Sequence, residues 1–133
     1  MTAKRQDNHS TEFGLWLREQ EEIDSSLGFV ATNIDYMWKN YKTGDWMLME
    51  EKRYNSNPKY AQRELFLKIN SVCEKDPQYH GLHLVTFEKT GPEEGKIFYG
   101  KSKREISRDE LLFFLKHFRF PDSRRHVKNQ IYN

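Results

Sequence analysis

IDYMWKNYKTGDWMLMEEK, residues 34–52, is the stretch that determines the predicted fold. Two runs rich in aromatic and apolar side chains flank the turn-forming tetrapeptide KTGD, residues 42–45. Gly44 tolerates the positive φ that a tight turn requires. Because so short a turn joins neighbouring strands, we predict an antiparallel hairpin with strands at residues 34–41 and 46–54.

The second strand of this hairpin ends in charged residues. Side chains alternate between the two faces of a strand, so Glu50 and Lys52 share one face and Glu51 points to the other. Asp35 lies near the start of the first strand, which places it beside Glu50 in the paired hairpin. Two converging carboxylates repel each other unless a cation lies between them. Mg²⁺ fits this position, since it prefers oxygen ligands and keeps waters for a substrate phosphate.

A lysine beside such a pair completes the requirements of phosphodiester hydrolysis. Lys52 follows Glu50 on the same strand face. There its ammonium group can orient or deprotonate an attacking water, or stabilise the negative charge that develops on phosphate. A divalent metal polarises the phosphoryl oxygen and helps generate hydroxide. The pattern therefore indicates a metal-dependent hydrolase that acts on phosphodiesters.

An amphipathic helix is predicted before the hairpin. Thr11 is its expected N-cap, the helix is expected to end near Ser25, and Gly28 is a natural stop signal. A short strand is predicted at residues 29–32. The apolar residues at helical spacing are Phe13, Trp16, Leu17, Ile23 and Leu27.

The chain after the hairpin alternates between helical and strand patterns. A second helix should start at Asn57-Pro58, with strands following at residues 82–88 and 96–99. Ser107 and Glu110 fit a capping box that opens a last helix. The predicted inward faces are Ala61, Leu65, Ile69 and Val72 in the second helix, and Leu111, Phe114, Leu115 and Phe118 in the last.

Together these elements predict one α/β domain over residues 11–120, with a mixed, mainly antiparallel sheet flanked by helices. Its order is helix, three strands, helix, strand (αβββαβ), followed by a C-terminal hairpin strand and helix. Residues 1–10 are expected to be a flexible tail. Residues 121–133 form a basic tail in which Arg124 and Arg125 are candidate phosphate contacts.

Asp35 followed by the tripeptide EEK at residues 50–52 resembles the D…(D/E)xK signature of the PD-(D/E)xK nuclease superfamily. The predicted element order over residues 11–89 is similar to that superfamily's restriction-endonuclease-like core, and small resolvase-like nucleases share it. The sequence departs from the signature at Ile34, where the family pattern has proline. The resemblance implies a nuclease or endonuclease that hydrolyses DNA, with RNA left open as a substrate.

The resemblance also implies roles for individual residues. Asp35 and Glu50 would bind Mg²⁺, with Mn²⁺ able to substitute, and Glu51 would offer its backbone carbonyl to the metal. Lys52 would assist the attacking water. All of these residues match the family's motif position by position.

Two further matches are less specific. Many family members carry a glutamate on the first helix, and Glu19 is the first choice here, with Glu12 and Asp24 left open. Many also carry a glutamine on the helix after the lysine strand, in a Q-x-x-x-Y pattern. Gln62 matches it, with Phe66 in place of tyrosine.

Composition limits the class of protein. A chain of 133 residues can bury one core, and its net charge of +2 is too small to indicate nucleic acid by itself. The single cysteine, Cys73, excludes an internal disulfide and suits a reducing compartment. No apolar run approaches the about 20 residues needed to cross a bilayer. We expect a cytoplasmic protein, from a bacterium or a virus-infected host cell, with no membrane partner.

Other readings stay open. The same fold could serve as a non-catalytic nucleic-acid-binding module, or as a small protein that binds another protein through aromatic side chains. His80 and His83 are predicted to be structural, and Tyr36, Trp38 and Trp46 to lie in the core. So small a chain offers little surface for embracing a duplex, which favours a homodimer.

Overall fold

The computed structural model of the protein describes residues 12–29 and 31–121. The predicted N-terminal tail, residues 1–10, the predicted cap Thr11 and the arginines of the basic tail, within residues 122–133, lie outside the described residues. Every helix in the described ranges is too short or too polar to span a lipid bilayer.

The described chain falls into two compact units that divide between Asn33 and Ile34. The predicted single domain over residues 11–120 stays a prediction. In the first unit, helix α1 spans Glu12–Glu19 and buries Leu15. Glu12 lies in its first turn, where the helix dipole favours negative charge.

Helix α1 ends earlier than predicted. Gln20 has extended backbone angles, and two short 3-10 turns follow where the sequence predicted continued helix toward Ser25. Asp24 explains the second turn, because its side chain accepts a hydrogen bond from the Ser26 backbone N–H at 3.1 Å. Such local side-chain bonds compete with the helix backbone. Gly28 ends the segment with φ +98°, as the stop signal predicted. The turns are Glu21–Ile23 and Ser25–Leu27.

The predicted inward face of the first helix was partly wrong. Phe13 and Trp16 are exposed and stack on each other, with ring centroids 6.0 Å apart. Leu27 is also exposed, whereas Leu15 is buried. Because the helix ends at Glu19, Leu27 is no longer on the same helical face as Phe13 and Trp16.

The predicted strand at residues 29–32 was also wrong. None of its described residues, Phe29, Ala31 and Thr32, has strand conformation. The described order is therefore helix, two strands, helix, strand, in place of three strands before the second helix. An apolar run of only four residues forms too few hydrogen bonds and side-chain contacts with a neighbouring strand to be stable in a sheet.

The hairpin of the second unit is confirmed. Strand β1, Tyr36–Lys39, pairs antiparallel with strand β2, Trp46–Lys52. Asn40 N–H donates to the Asp45 carbonyl at 2.9 Å, which closes the connection. Gly44 adopts φ +86°, as a residue without Cβ allows.

Helix α2, Tyr60–Cys73, begins two residues later than predicted, with Lys59 as its N-cap in place of Asn57. Tyr54 and Asn55 both have positive φ. The Asn55 N–H donates to the carbonyl of Phe87, the last residue of strand β3 (Tyr79–Phe87), and the Tyr54 N–H donates to the Lys89 carbonyl just beyond it, both at 3.2 Å. These bonds hold the chain against the sheet beyond the end of β2, so the helix starts only after Lys59.

The buried face of α2 is rotated from the predicted one. Phe66 is fully buried and Ile69 is partly buried, but the predicted inward residue Val72 is exposed. The helix keeps its ordinary spacing of about 3.6 residues per turn, so the later start alone does not explain the rotated face. The sheet lies against the Phe66 side, which the apolar spacing alone did not distinguish from the Val72 side.

The sheet has the order β1-β2-β3-β4-β5. Strands β2 and β3 are parallel, connected by α2, and the other described pairings are antiparallel. This confirms an α/β fold with a mixed, mainly antiparallel sheet and flanking helices. Strand β3 starts earlier than predicted, and β5 was not predicted. The remaining elements are β3 Tyr79–Phe87, β4 Ile97–Tyr99, β5 Arg104–Ile106 and α3 Arg108–His117.

The Ser107–Glu110 capping box is present, with both reciprocal hydrogen bonds formed. It starts α3, in which Leu111 and Phe114 are buried as predicted, and Phe118, the residue after the helix, is buried as well.

The core consists of two clusters on the two faces of the sheet. Met47 belongs to the cluster under α3 and its neighbour Leu48 to the cluster under α2, as strand alternation requires. Strand β3 divides in the same way, with Leu84 on the α2 side and Val85 on the α3 side. The end of β2 is therefore held between two packed layers.

Strand β1 lies at one edge of the sheet, and this overturns a prediction about its aromatic residues. Tyr36 and Trp38 were expected in the core but are exposed. Trp46, on β2, is half-buried and packs beside Tyr79. An edge strand is covered less completely than an inner one, so the same residue types end with different burial.

Candidate functional site

The site begins with the alternation at the end of β2. Leu48 and Glu50 lie on the α2 side of the sheet, and Lys52 is on the same side. Glu50 is 3% exposed although it is a carboxylate. Lys52 Nζ lies 3.2 Å from Glu50 Oε2, and Lys52 is 20% exposed. A buried carboxylate is therefore paired with a lysine that still reaches the surface.

Gln62, in the first turn of α2, connects these two side chains. Its Nε2 donates to Glu50 Oε2 at 3.0 Å, and its Oε1 accepts from Lys52 Nζ at 3.0 Å. Both contacts require the helix to begin close to the sheet. The backbone hydrogen bonds of Tyr54 and Asn55 hold the preceding segment there. Gln62 thus fixes the relative positions of the carboxylate and the ammonium group.

Asp35 closes the cluster from the neighbouring strand. It precedes β1 in the same antiparallel register, opposite Glu50. Its backbone N–H donates to Glu50 Oε1 at 3.2 Å, and its Oδ2 accepts from the Glu51 backbone N–H at 2.8 Å. The structure therefore brings Asp35, Glu50, Lys52 and Gln62 into one cluster.

The electrostatics of Glu50 follow from this packing. Burial raises its pKa to about 7, with further upward contributions from the charge of Asp35 and a hydrogen bond with that carboxyl group. Lys52 acts in the opposite direction and lowers the pKa. A neighbouring carboxylate disfavours the ionised form of Glu50, and nearby positive charge favours it.

The donor set of the cluster suits a hard cation. Asp35 and Glu50 offer carboxylate oxygens, and Glu51, between Glu50 and Lys52 in sequence, offers a backbone carbonyl oxygen. Oxygen donors of this kind are the ligands of Mg²⁺ and Mn²⁺. Within the described ranges, no group of three or more His, Cys, Asp or Glu side chains is arranged around a metal position. A cation here would need backbone, water or substrate oxygens to complete its coordination.

The remaining candidates on the first helix lie in the first unit. Glu19 is the exposed last residue of α1, and the cluster around Glu50 is built entirely from the second unit. Asp24 accepts hydrogen bonds from the Ser26 backbone and hydroxyl, which lower its pKa. That capping role occupies Asp24 within its own turn. Glu12 lies in the first turn of α1.

The two histidines of β3 form hydrogen bonds inside the fold. His80 Nε2 lies 2.9 Å from Asp45 Oδ1. His83 is fully buried, with Nδ1 2.7 Å from the Tyr99 hydroxyl and Nε2 2.7 Å from the His80 carbonyl. Burial raises the pKa of Tyr99, so its hydroxyl stays protonated as a donor. These contacts agree with the structural role predicted for both histidines.

Two residues near the cluster were not identified from the sequence. The Tyr36 hydroxyl donates to Glu51 Oε1 at 3.2 Å, and the charge of Glu51 raises the pKa of Tyr36. Thr86 pairs with Lys52 across β3 and β2 and is fully buried. Its hydroxyl has no hydrogen-bond partner among the described residues. Only the parallel register places Thr86 beside Lys52, and no local sequence pattern encodes that register.

Comparison with protein-family models, with curated proteins and with solved structures finds no match to this chain.

Proposed function

We propose that the protein is a metal-dependent nuclease of the PD-(D/E)xK type that hydrolyses DNA phosphodiester bonds. One observation carries the proposal: a buried Glu50 that contacts the lysine two residues later, a helix glutamine and the Asp35 segment of the neighbouring strand. A salt bridge needed only for stability is seldom buried, because desolvation offsets most of its attraction.

The proposed reaction divides its tasks among these residues. Asp35, Glu50 and the Glu51 carbonyl would hold Mg²⁺, with Mn²⁺ able to replace it. When bound, the cation would neutralise charge on the phosphate and activate water. Gln62 keeps Lys52 beside Glu50, where its ammonium group would face the incoming water and the developing charge. The water oxygen would bond to phosphorus and give up a proton to solvent as the bond to the leaving oxygen breaks, and the leaving oxygen would take up a proton from solvent.

The fold supports the same proposal in part. The described order around the cluster has the hairpin, the helix and the parallel strand that a restriction-endonuclease-like core requires. It departs by having two strands before α2. We further propose a homodimer, because a chain of 133 residues offers little surface to surround a duplex. Glu19 remains a proposed additional ligand.

One observation favours a second candidate, a nucleic-acid-binding module without catalysis. Lys52, Glu50 and Gln62 satisfy one another's hydrogen bonds directly, and such a closed network can serve to fix α2 on the sheet. The two candidates share the fold and differ in whether the cluster reacts.

Cleavage of supercoiled and linear DNA with Mg²⁺, Mn²⁺ or a chelator separates the candidates. We expect cleavage with either cation, none with chelator, and a loss of about 100-fold or more in Asp35→Asn. Glu105→Gln is the matched control, since Glu105 is an exposed carboxylate on β5 at the opposite edge of the sheet. DNA binding without cleavage under every metal condition would favour the non-catalytic module instead.

A further inference from the structure

An apolar cavity of about 250 Å³ lies in the second unit, on the face of the sheet opposite Lys52. Its walls include Met49 from β2, Val85 and Phe87 from β3, and Leu111 and Leu115 from α3. Ligand cavities for drug-sized molecules occupy roughly 300–1,000 Å³. This cavity therefore suits one flat ring system more than an extended ligand.

The mouth of the cavity is polar and adjoins the candidate site. Tyr36, Glu51 and the loop at residues 90–92 line it, and Glu50 contributes to the same lining. Glu50 and Glu51 are consecutive residues on opposite faces of β2. Because both glutamates line the cavity, a DNA strand whose phosphate lay at Asp35 and Glu50 and which passed around the edge of the sheet would have its adjacent nucleoside near this opening.

The mouth also presents a fixed hydrogen-bond acceptor. Glu51 Oε1 accepts from the Tyr36 hydroxyl at 3.2 Å and lies 3.6 Å from Arg53. A carboxylate has about four acceptor positions, so Oε2 can accept a further donor. Apolar and aromatic walls with one acceptor at the rim match the flat faces and N–H edge of a nucleobase.

We propose that this cavity, here named the base pocket, receives one unpaired nucleobase of the strand that is cut. Glu51 would accept a hydrogen bond from the exocyclic amino group of adenine, cytosine or guanine, which thymine lacks. The placement of the pocket beside the scissile phosphate rests on the proposed nuclease function. The substrate class is therefore single-stranded, bulged or branched DNA.

A paired base cannot enter the pocket while it remains stacked in a duplex. An enzyme that takes a base from the stack must supply the energy of unpairing and unstacking, and this cost is smallest for a base that is already unpaired. At the mouth, the Tyr36 ring is held by the hydrogen bond from its hydroxyl to Glu51. Selection of an unpaired nucleotide follows from that cost.

Labelled oligonucleotides test the pocket directly. The substrates are a single strand, a perfect duplex and a duplex with one bulged nucleotide, each also made with an abasic residue at every position around the cut. We expect the bulged and single-stranded forms to be cut fastest. One abasic position should lower cleavage about ten-fold, the scale of a lost stacking contact.

Two variants fill the pocket from different sides. Leu115→Trp enters it from α3, and Pro92→Trp blocks its mouth from an exposed loop outside the core. Either should reproduce the abasic loss on base-containing DNA and cause no further loss on abasic DNA. Leu112→Trp is the matched control, because Leu112 is exposed on the same helix and does not line the cavity. Wild-type protein should cut faster when the base in the pocket carries an exocyclic amino group than when it is thymine, and Glu51→Gln should reduce this difference.

Equal cleavage of base-containing and abasic DNA would overturn the base pocket while leaving the nuclease proposal intact. The base pocket would also be overturned if Pro92→Trp lowered cleavage of base-containing and abasic DNA equally. The same holds if Leu115→Trp changed only the self-association of the protein and not its cleavage of either DNA. Absence of all cleavage by the wild-type protein would instead overturn the proposed nuclease. Binding by fluorescence anisotropy then decides the pocket: a ten-fold weaker Kd for the abasic strand supports it, and equal Kd values overturn it.

Discussion

Two consecutive glutamates at the end of β2 have the same chemistry and very different surroundings. Glu50 is 3% exposed on the α2 side and contacts Asp35, Lys52 and Gln62. Glu51 is 20% exposed on the α3 side and contacts the Tyr36 hydroxyl and Arg53. The alternation of a strand separates them by one sheet thickness.

The comparison shows that burial and neighbours, more than residue type, assign a carboxylate its chemistry. Burial with a second carboxyl group raises the pKa of Glu50 to about 7, which makes this site receptive to a cation. Glu51 keeps its side chain at a cavity mouth and turns only its backbone toward Asp35.

The largest expected effect is on catalysis by Lys52→Ala. Its ammonium group is held 3.0 Å from Gln62 and 3.2 Å from Glu50, on the face away from the base pocket. We expect a folded protein that binds DNA but cleaves it about 100-fold more slowly or worse. Circular dichroism, a binding titration and a cleavage assay on one preparation measure all three properties.

Lys52→Arg is the informative companion variant. We expect no rescue, because guanidinium differs in shape and stays protonated. Wild-type cleavage by a folded Lys52→Ala protein would remove this lysine from the mechanism and with it the main support for the family proposal.

The next effect separates the two glutamates in metal binding. Glu50→Gln should weaken Mn²⁺ binding by at least about ten-fold and abolish the rise in Tm that the cation produces, because one carboxylate ligand is lost. Glu51→Gln keeps the backbone carbonyl and should lose much less. Titration calorimetry compares them, and equal losses in both variants would show that the faces are not functionally distinct.

A pH effect is expected in the metal-free protein. The folded pKa of Glu50 is raised to about 7 from 4.5, so the folded state binds more protons than the unfolded state between these values. Its stabilising contribution is complete below about pH 4.5 and is lost as the pH rises through about 7, on the order of 1–3 kcal/mol. Urea denaturation at several pH values measures the slope.

Glu50→Gln should flatten this slope, and Mg²⁺ should oppose the loss at neutral pH by favouring the ionised carboxylate. A slope that persists unchanged in Glu50→Gln would assign the titration to another group. Glu51→Gln is the matched control for the removal of a charge from the same strand.

The smallest expected effect is that of Thr86→Val. The fully buried Thr86 hydroxyl has no partner among the described residues, and valine has nearly the same shape. Replacing such a group with an apolar one should leave the free energy of unfolding unchanged or raise it by up to about 1 kcal/mol. Denaturation midpoints measure this, and a clear destabilisation would mean that the hydroxyl is hydrogen-bonded after all.

Local chemistry explains which parts of the fold could be predicted from sequence. The hairpin followed from apolar runs around Gly44, and the start of α3 followed from the Ser107–Glu110 capping box. Both depend on residues within a few positions of one another. The predicted strand at residues 29–32, the start of α2 and the burial of Tyr36 were wrong, because they depend on which distant segments supply partners. The predicted end of α1 was also wrong, where the local Asp24–Ser26 hydrogen bond favours a separate turn.

The candidate site divides in the same way. Sequence alone determined that Glu50 and Lys52 share a face and that Asp35 lies across the hairpin, since strand alternation and a short turn are local properties. Tertiary structure decided that Gln62 joins them, that Thr86 lies beside Lys52 and that an apolar cavity opens beside Glu51. Those contacts require the parallel pairing of β2 with β3 and the packing of α2 and α3 on opposite faces, which bring together residues far apart in the chain.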